Sequence, residues 1–319
     1  MPALDMPLDK LRVYQGTNPR PSDFDAFWDR SLAEVSQLDP KVELRDAEFQ
    51  MPVAECKHLF WTGMGGARVH AKLLRPKHAK GSRPAVLMFH GYSGSSGDWS
   101  DKLNYVALGY TVAAMDCRGQ AGLSEDVGGT TGNTYRGQII RGLNDGPEKL
   151  YYRQVYLDTV QLAHIVMGLD GVDPTRVGVA GGSQGGGLTL ACAALEPRIK
   201  KAAPTFPFLS DYRRVWDIDL TKNAYWELTY YFKCFDPLHE REDEIFTRLG
   251  YIDVHHLAPR IRAEVFMGVS LQDQTCPPST QFAAYNRIAS PKSMALYHDF
   301  GHEGLTGHGD RVFQFMSGL

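Results

Sequence analysis

The sequence predicts an α/β fold in which a doubly wound, mostly parallel sheet carries helices on both faces. Two observations support this prediction: short apolar runs recur along the chain, and segments with helical spacing separate them. Strands covered on both faces need continuous apolar runs, and parallel neighbours need a long crossover between them. We find no repeat or linker in the 319 residues, so we expect a single domain over 1–319, with an N-terminal extension (1–83) and a core (84–319).

The core contains six predicted strands, of which the fourth has the weakest pattern. They lie at residues 85–89, 110–115, 177–180, 202–206, 265–268 and 293–297. Apolar side chains at 152–167 fall on one stripe, closed by Gly168, and predict a helix. Two more helices are predicted at 188–195 and 281–288. Ligands bind such sheets at the carboxyl ends of the strands, so we expect the functional residues in the loops that follow these runs.

The N-terminal extension is predicted to contain one helix followed by short strands. The helix covers 22–37, where apolar residues share one face and Ser22 is the expected N-cap. The strand signals run from about Val42 to Pro76.

Composition argues against several classes of protein. With 43% hydrophobic residues, 22% charged residues and a formal net charge of −3, the chain is neither disordered nor fibrous, and it lacks the basic stripe of a nucleic-acid binder. It has no apolar run of membrane-spanning length, and its first residues lack the apolar centre of a secretory signal. The five scattered cysteines are expected to be free thiols, so we expect a cytoplasmic protein.

The segment Gly181-Gly182-Ser183-Gln184-Gly185 matches G-x-S-x-G directly after the third predicted strand. This motif places a serine on a sharp turn from strand to helix, where its hydroxyl projects from the edge of the sheet. The alternative is a glycine-rich turn in which Ser183 only caps the following helix. The context of strand, turn and helix favours Ser183 as a nucleophile.

A serine nucleophile needs a base, and the base needs an acid to hold its tautomer. In this topology the acid and then the base follow the serine along the chain. Asp273 follows the fifth predicted strand and His302 follows the sixth, with room between them for one helix and one strand. Asp211, after the fourth strand, is the alternative acid. Asp299 is too close to His302 in sequence to reach behind its ring easily, and His90 and His298 are expected to have local roles.

The C-terminal histidines and acids permit a second interpretation as a metal cluster. Its members would come from His298-Asp299-Phe300-Gly301-His302-Glu303, with His308 and Asp310. Their spacing does not match H-E-x-x-H, and the neighbouring glycines favour a loop over a helix that carries ligands. A loop histidine acting as base is favoured, and neither a metal nor another cofactor is predicted.

An attacked ester carbonyl becomes an oxyanion, which needs preorganised donors. The predicted donors are the backbone N–H groups of Gln184, directly after the nucleophile, and of Tyr92, where Gly91 lets the backbone approach the substrate. Phe208, after the fourth strand, is a candidate for lining a small acyl pocket, and Tyr92 is a second candidate substrate contact. The alternative for both side chains is an ordinary core or loop position.

Together these segments resemble the acetyl xylan esterase/cephalosporin C deacetylase family of carbohydrate esterases. The resemblance covers nearly the whole chain, and three motifs in order make it far more specific than G-x-S-x-G alone: Arg-Gly-Gln, Gly-x-Ser-Gln-Gly and His-Glu. The matching segments are Pro7-Leu8-Asp9-Lys10-Leu11, Asp23-Phe24-Asp25-Ala26-Phe27-Trp28, His90-Gly91-Tyr92, Arg118-Gly119-Gln120, Gly182-Ser183-Gln184-Gly185-Gly186, Asp273, Cys276-Pro277-Pro278-Ser279-Thr280, Phe282-Ala283-Ala284-Tyr285-Asn286 and His302-Glu303.

The resemblance implies an α/β-hydrolase fold and a triad of Ser183, His302 and Asp273, with backbone donors at Tyr92 and Gln184. It also implies hydrolysis of acetate esters, including acetylated xylo-oligosaccharides and cephalosporin C. Family members typically assemble as hexamers whose active sites face an internal cavity, so we expect a homo-hexamer.

One residue departs from the family pattern, and two residues of the Arg-Gly-Gln motif have no evident catalytic role. Gln272 stands where the family usually has an apolar residue before the acid, which bears on fine specificity. Arg118 and Gln120 have no evident part in the proton transfers, although a guanidinium group suits the bracing of loops.

On these grounds we expect a serine esterase that releases acetate from a small acetylated substrate through an acetyl-enzyme intermediate, with no nucleic-acid or membrane partner. Two alternatives remain open. One keeps the fold and changes the substrate to a longer acyl ester or a peptide. The other is a catalytically silent binding module, which the presence of all three predicted triad residues disfavours.

Overall fold

The strands of the computed structural model, which describes residues 4–78, 80–127 and 138–319, form one nine-stranded sheet. In chain order they are β1 (Glu43–Asp46), β2 (Ala54–Thr62), β3 (Arg68–Pro76), β4 (Arg83–Phe89), β5 (Thr111–Asp116), β6 (Val172–Gly182), β7 (Lys201–Thr205), β8 (Glu264–Ser270) and β9 (Lys292–Tyr297). The six predicted core strands correspond to β4 to β9. The strand signals of the N-terminal extension correspond to β1 to β3.

The sheet has an antiparallel part and a parallel part. Its strand order is β1-β2-β3-β5-β4-β6-β7-β8-β9, in which β1, β2, β3 and β5 pair antiparallel. All pairs from β5 to β9 are parallel. The carboxyl ends of β4, β6, β7, β8 and β9 therefore lie along one edge, which is where loops can bring distant residues together.

The helices cover both faces of this sheet. They are α1 (Leu8–Leu11), α2 (Phe24–Gln37), α3 (Leu103–Ala107), α4 (Tyr151–Met167), α5 (Gln184–Leu195), α6 (Tyr212–Asp217), α7 (Trp226–Phe235), α8 (Glu242–Leu249), α9 (Val254–Leu257), α10 (Pro278–Arg287) and α11 (His308–Met316). The predicted helices at 22–37, 152–167, 188–195 and 281–288 correspond to α2, α4, α5 and α10. No helix in the described ranges combines the length and the apolarity needed to cross a bilayer.

Alternate side chains of β4 enter two separate cores. Ala85, Leu87 and Phe89 belong to the larger core, which α2, α4, α5 and α10 help to form. Val86 belongs to the smaller core with side chains of α3 and α11. Successive residues of a strand point to opposite faces, so a continuous apolar run is what a strand covered on both faces requires.

The prediction that Ser22 caps the first helix is wrong. The helix begins at Phe24, its N-cap position is Asp23, and no side chain caps it. The N–H of Phe24 instead donates to the Pro21 carbonyl at 3.2 Å, and the Asp23 carboxylate accepts from the Tyr251 hydroxyl at 2.5 Å. The turn ahead of the helix therefore satisfies its first N–H group, while Tyr251 engages the carboxylate at the N-cap position.

Candidate active site

Ser183 occupies a strained turn between β6 and α5. Its φ and ψ angles are 57° and −119°. A Cβ atom at Gly181 would lie 2.6 Å from the carbonyl oxygen of Phe89, and one at Gly185 would lie 2.1 Å from the same atom. Both flanking glycines are therefore required by the backbone of β4, and the turn presents Ser183 at the carboxyl edge of the sheet.

The structure brings Ser183, His302 and Asp273 into one hydrogen-bonded row. His302 Nε2 lies 3.0 Å from Ser183 Oγ, and His302 Nδ1 lies 2.8 Å from Asp273 Oδ2. Asp273 follows β8 and His302 follows β9, as the sequence predicts. An imidazole held in this way can accept a proton from the hydroxyl through one nitrogen while the carboxylate fixes its tautomer through the other.

The loop after β8 holds the Asp273 carboxylate in place. Asp273 is fully buried, and its Oδ1 accepts the N–H groups of Thr275 and Cys276, both at 2.8 Å. The His302 ring in turn packs against Phe206, with 4.7 Å between ring centroids. The Asp273 carboxylate and the His302 ring are thus held in place by the protein itself.

Asp211, the alternative acid, has another task. Its carboxylate accepts the Tyr14 hydroxyl at 2.8 Å and the N–H groups of Thr17 and Asn18 at 3.0 and 2.9 Å. It therefore ties the N-terminal segment to the core, while the His302 nitrogens bond to Ser183 and Asp273.

His90 shapes the loop after β4. Its Nδ1 contacts the Gly91 carbonyl at 2.7 Å, and its Nε2 accepts the N–H of Cys117 at 2.9 Å. Burial lowers its pKa below the ordinary value for histidine. A neutral imidazole that bridges two strand-end loops is the local role that the sequence predicts.

One group of potential metal ligands occurs in the described part of the chain, and it coincides with the hydrogen-bonded row. Ligand atoms of Asp273, Cys276 and His302 lie within 4.8 Å of one another. Both nitrogens of His302 are engaged in hydrogen bonds, and burial raises the pKa of the Cys276 thiol well above its ordinary value. These residues fit proton transfer, because a metal needs a free imidazole nitrogen or a thiolate. His308, from the C-terminal set, instead contacts Thr205 Oγ1 at 3.0 Å.

A cavity of about 910 Å³ opens over Ser183 and His302. Tyr92 and Phe208, the predicted substrate contacts, both line it, and their rings meet edge to face with centroids 5.8 Å apart. Lys222, Asn223 and Trp226 also line it. The wall of the cavity therefore combines aromatic and polar side chains.

Gln272 lies away from this cavity. Its N–H donates to the Phe300 carbonyl at 3.0 Å, and its side chain donates to the His298 carbonyl at 3.4 Å. Together with residues 4–8 it lines a separate cavity of about 460 Å³. Gln272 therefore links the loops after β8 and β9, and it does not line the cavity beside Ser183.

Glu227 of α7 is a feature of this site that the sequence analysis missed. The Tyr92 hydroxyl is in hydrogen-bonding contact with the carboxylate of Glu227 and with the side chain of Gln138. Glu227 also accepts the N–H groups of Ile139 at 2.7 Å and Ile140 at 3.3 Å. Burial raises the pKa of Glu227 to about 8, even though these donors oppose the shift. No sequence pattern marks it, because its partners come from separate loops.

The brace suggested for Arg118 exists, and its partner is Asp158. Arg118 Nε and Nη2 donate to the two Asp158 carboxylate oxygens at 2.7 and 2.6 Å, and Nη1 donates to the Met64 carbonyl at 3.0 Å. Both side chains are buried. A buried guanidinium group needs a counter-charge of this kind.

Comparison with known proteins gives consistent results. The whole chain, residues 1–319, matches the model of the acetyl xylan esterase (AXE1) family. Acetyl xylan esterase 1 from Thermoanaerobacterium sp. JW/SL YS485 is 60% identical, with a TM-score of 0.97 and 99% coverage of both chains. The acetyl xylan esterase from Paenibacillus sp. R4 is 38% identical, with a TM-score of 0.93 over 98% of this chain and 100% of the other.

A curated relative is more distant. Acetyl esterase Axe7A from Xylanibacter ruminicola is 28% identical over 284 residues, which are 86% of this chain. The chain spans only 62% of the length of that esterase. The α/β-hydrolase fold and the family resemblance predicted from the sequence are confirmed by the family match and the solved structures. The chain belongs to the acetyl xylan esterase family, a family of carboxylic ester hydrolases.

Proposed function

We propose that this chain is a serine esterase that hydrolyses acetate esters of small substrates through an acetyl-enzyme intermediate. The observation that carries the proposal is the row in which His302 lies 3.0 Å from Ser183 Oγ and 2.8 Å from Asp273 Oδ2. Membership of the family supports acetate as the acyl group.

The first half-reaction transfers the acetyl group to Ser183. Its Oγ attacks the acetyl carbonyl carbon as the hydroxyl proton passes to His302 Nε2, and Asp273 stabilises the resulting imidazolium. The tetrahedral intermediate collapses, the bond from carbon to the alcohol oxygen breaks, and His302 returns the proton to the leaving alcohol. In the second half-reaction water repeats these steps and releases acetate.

The oxyanion is proposed to bind the backbone N–H groups of Tyr92 and Gln184. Gln184 is the first residue of α5, where an N–H has no acceptor within the helix, and the helix dipole favours negative charge at this end. Tyr92 follows Gly91 in the loop after β4, beside the Ser183 turn. Such donors contribute most when they are fixed before the reaction.

The serine mechanism is tested by Ser183→Ala. Acetate release from p-nitrophenyl acetate should fall by several orders of magnitude, because the nucleophile is lost while the fold is kept. Ser36→Ala is the matched control, since Ser36 lies on the exposed side of α2 and bonds only to the Ala33 carbonyl. Undiminished turnover by Ser183→Ala would disprove the assignment of the nucleophile.

The acyl preference is tested with p-nitrophenyl acetate, butyrate and octanoate. Tyr92 and Phe208 line the cavity that contains Ser183, and membership of the family favours a short acyl group. We expect acetate to be cleaved fastest. Faster cleavage of octanoate would instead favour the lipase alternative.

On the family resemblance, we propose that the alcohol part of the substrate is a small sugar or a cephalosporin. We propose on the same ground that the chain assembles as a hexamer. Acetylated xylobiose, polymeric acetyl xylan and cephalosporin C, compared as substrates, separate sugar esters from cephalosporins. If the chain forms the proposed hexamer with an enclosed cavity, the soluble disaccharide should be a better substrate than the polymer. Sedimentation equilibrium measures the assembly directly.

A further inference from the structure

Gln120, the last residue of the Arg-Gly-Gln motif, lies between the two loops that carry the proposed oxyanion donors. Its Oε1 accepts the backbone N–H of Ser93, the residue after Tyr92, at 2.8 Å. Its Nε2 donates to the side-chain Oε1 of Gln184 at 2.8 Å. One side chain from the loop after β5 therefore contacts the loop after β4 and the first residue of α5.

The amide groups of Gln120 and Gln184 form a reciprocal pair. Gln184 Nε2 donates to Gln120 Oε1 at 3.1 Å, opposite the bond from Gln120 Nε2 to Gln184 Oε1. Two tyrosines of α4 complete the network: Gln120 Nε2 donates to the Tyr151 hydroxyl at 3.0 Å, and the Tyr152 hydroxyl donates to Gln184 Oε1 at 2.8 Å. All donor and acceptor positions of the Gln120 amide are used, so its orientation is fixed.

The backbone segment that carries Gln120 is rigid as well. Arg118 is held by its buried ion pair with Asp158, and its carbonyl accepts the Tyr151 hydroxyl at 2.6 Å. Gly119 has a φ of 64°, and a Cβ there would lie 2.9 Å from Asp126 Cβ. The segment therefore presents Gln120 from a fixed position, which a brace requires.

We propose that Gln120 is a positioning residue that fixes both oxyanion donors at once, acting through Ser93 on the Tyr92 loop and through the Gln184 side chain on the start of α5. This inference rests on the proposed serine mechanism. Backbone donors stabilise a transition state only if they already point to the place where charge develops. The Arg-Gly-Gln motif thereby has a function: Arg118 anchors the segment, and Gln120 holds the two donors in position relative to it.

The decisive measurement separates transition-state stabilisation from simple loss of folded enzyme. The probe is the inhibitor 1,1,1-trifluoroacetone. Its carbonyl carbon forms a bond with Ser183 Oγ, its oxygen becomes an oxyanion, and the hydroxyl proton passes to His302. In Gln120→Ala we expect kcat for p-nitrophenyl acetate to fall about 10- to 100-fold with KM within about twofold of the wild-type value. The inhibition constant of trifluoroacetone should rise by the same factor.

Gln161→Ala is the matched control. Gln161 is a buried glutamine on α4 whose amide donates to the Thr62 carbonyl at 3.3 Å, so its loss removes a similar group without touching the site. This variant should keep the wild-type kcat and inhibition constant even if its melting temperature falls. Gln184→Ala, which retains the backbone N–H, should resemble Gln120→Ala, and the double variant should be no worse than about the worse single variant, because the two amides act as one pair.

Two results would overturn the proposal. One is a folded Gln120→Ala enzyme with unchanged kcat; the other is a reduced kcat with an unchanged inhibition constant, which indicates fewer active molecules with an intact oxyanion site. If Gln120→Ala does not fold, Gln120→Met keeps the length of the side chain without its amide and is judged by the same two constants. Failure of the serine mechanism itself is seen separately, as turnover that survives Ser183→Ala.

Discussion

The two sides of this active site are positioned in different ways. Asp273 and His302 lie on loops that directly follow the neighbouring parallel strands β8 and β9, and the register of these strands brings the loops together. The loops after β4 and β6, which carry the proposed oxyanion donors, are held by side chains from the loop after β5, from α4 and from α7. The acid–base side depends on local motifs on a sheet, whereas the oxyanion side depends on contacts between distant segments.

The largest expected effect is on the acid–base side. Asp273→Asn keeps the size of the side chain but removes the charge that orients and stabilises the imidazolium of His302. We expect kcat for p-nitrophenyl acetate to fall by about 10⁴-fold, with little change in KM. Steady-state kinetics over a range of pH measures this. A loss below about tenfold would mean that another carboxylate supplies the acid.

Removal of the anchor on the oxyanion side should mainly cost stability. Asp158→Asn leaves Arg118 buried without a counter-charge, so we expect the free energy of unfolding to fall by about 3–5 kcal/mol. Because Arg118 anchors the segment of Gln120, kcat of the folded fraction should fall as well.

The matched control for this variant is Glu244→Gln, which breaks the pairs that this exposed carboxylate makes with Arg241 and Arg248. It should cost less than about 1 kcal/mol. Chemical denaturation measures both variants, and equal losses would show that burial of the Arg118–Asp158 pair has no special importance.

Asp211, the alternative acid predicted from the sequence, should contribute to stability and not to catalysis. Asp211→Asn weakens its bonds to Tyr14, Thr17 and Asn18. We expect a loss of about 1–3 kcal/mol in the free energy of unfolding and an unchanged kcat. Thermal unfolding tests the predicted loss of stability, and acetate release tests the predicted constancy of kcat. A fall in kcat comparable to that of Asp273→Asn would contradict the division between the two sides.

The last expected effect is a pH dependence of stability that comes from Glu227. Burial raises the pKa of Glu227 from 4.5 to about 8, so the folded chain binds more protons than the unfolded chain between these values. The contribution of Glu227 to the free energy of unfolding is fully present below pH 4.5. It is lost as the pH rises toward 8, by at most about 1.4 kcal/mol per pH unit.

Glu227→Gln removes this titration and keeps the shape of the side chain. Melting temperatures of the variant measured between about pH 5 and pH 8 should therefore fall less steeply with pH than those of the wild type. Parallel curves would show that Glu227 does not titrate in this range.

The sequence by itself determined the strands of the core, the family, and the positions of Ser183, Asp273 and His302 in the fold. These features are encoded in short segments: apolar runs mark strands covered on both faces, and the G-x-S-x-G motif marks the sharp turn that carries Ser183. The order of acid and base along the chain follows from the topology of the sheet. The helix cap was predicted wrongly because the Pro21 carbonyl and Tyr251 took the groups that a local cap would use.

Only the tertiary structure decided which side chains support the oxyanion side. Gln120, Asp158 and Glu227 make contacts with residues 27 to 135 positions away along the chain. No periodicity or motif spacing encodes such contacts, since they arise when separate elements pack against each other. The same packing raises the pKa of Glu227 and buries the Arg118–Asp158 pair, because burial and partners exist only in the folded chain.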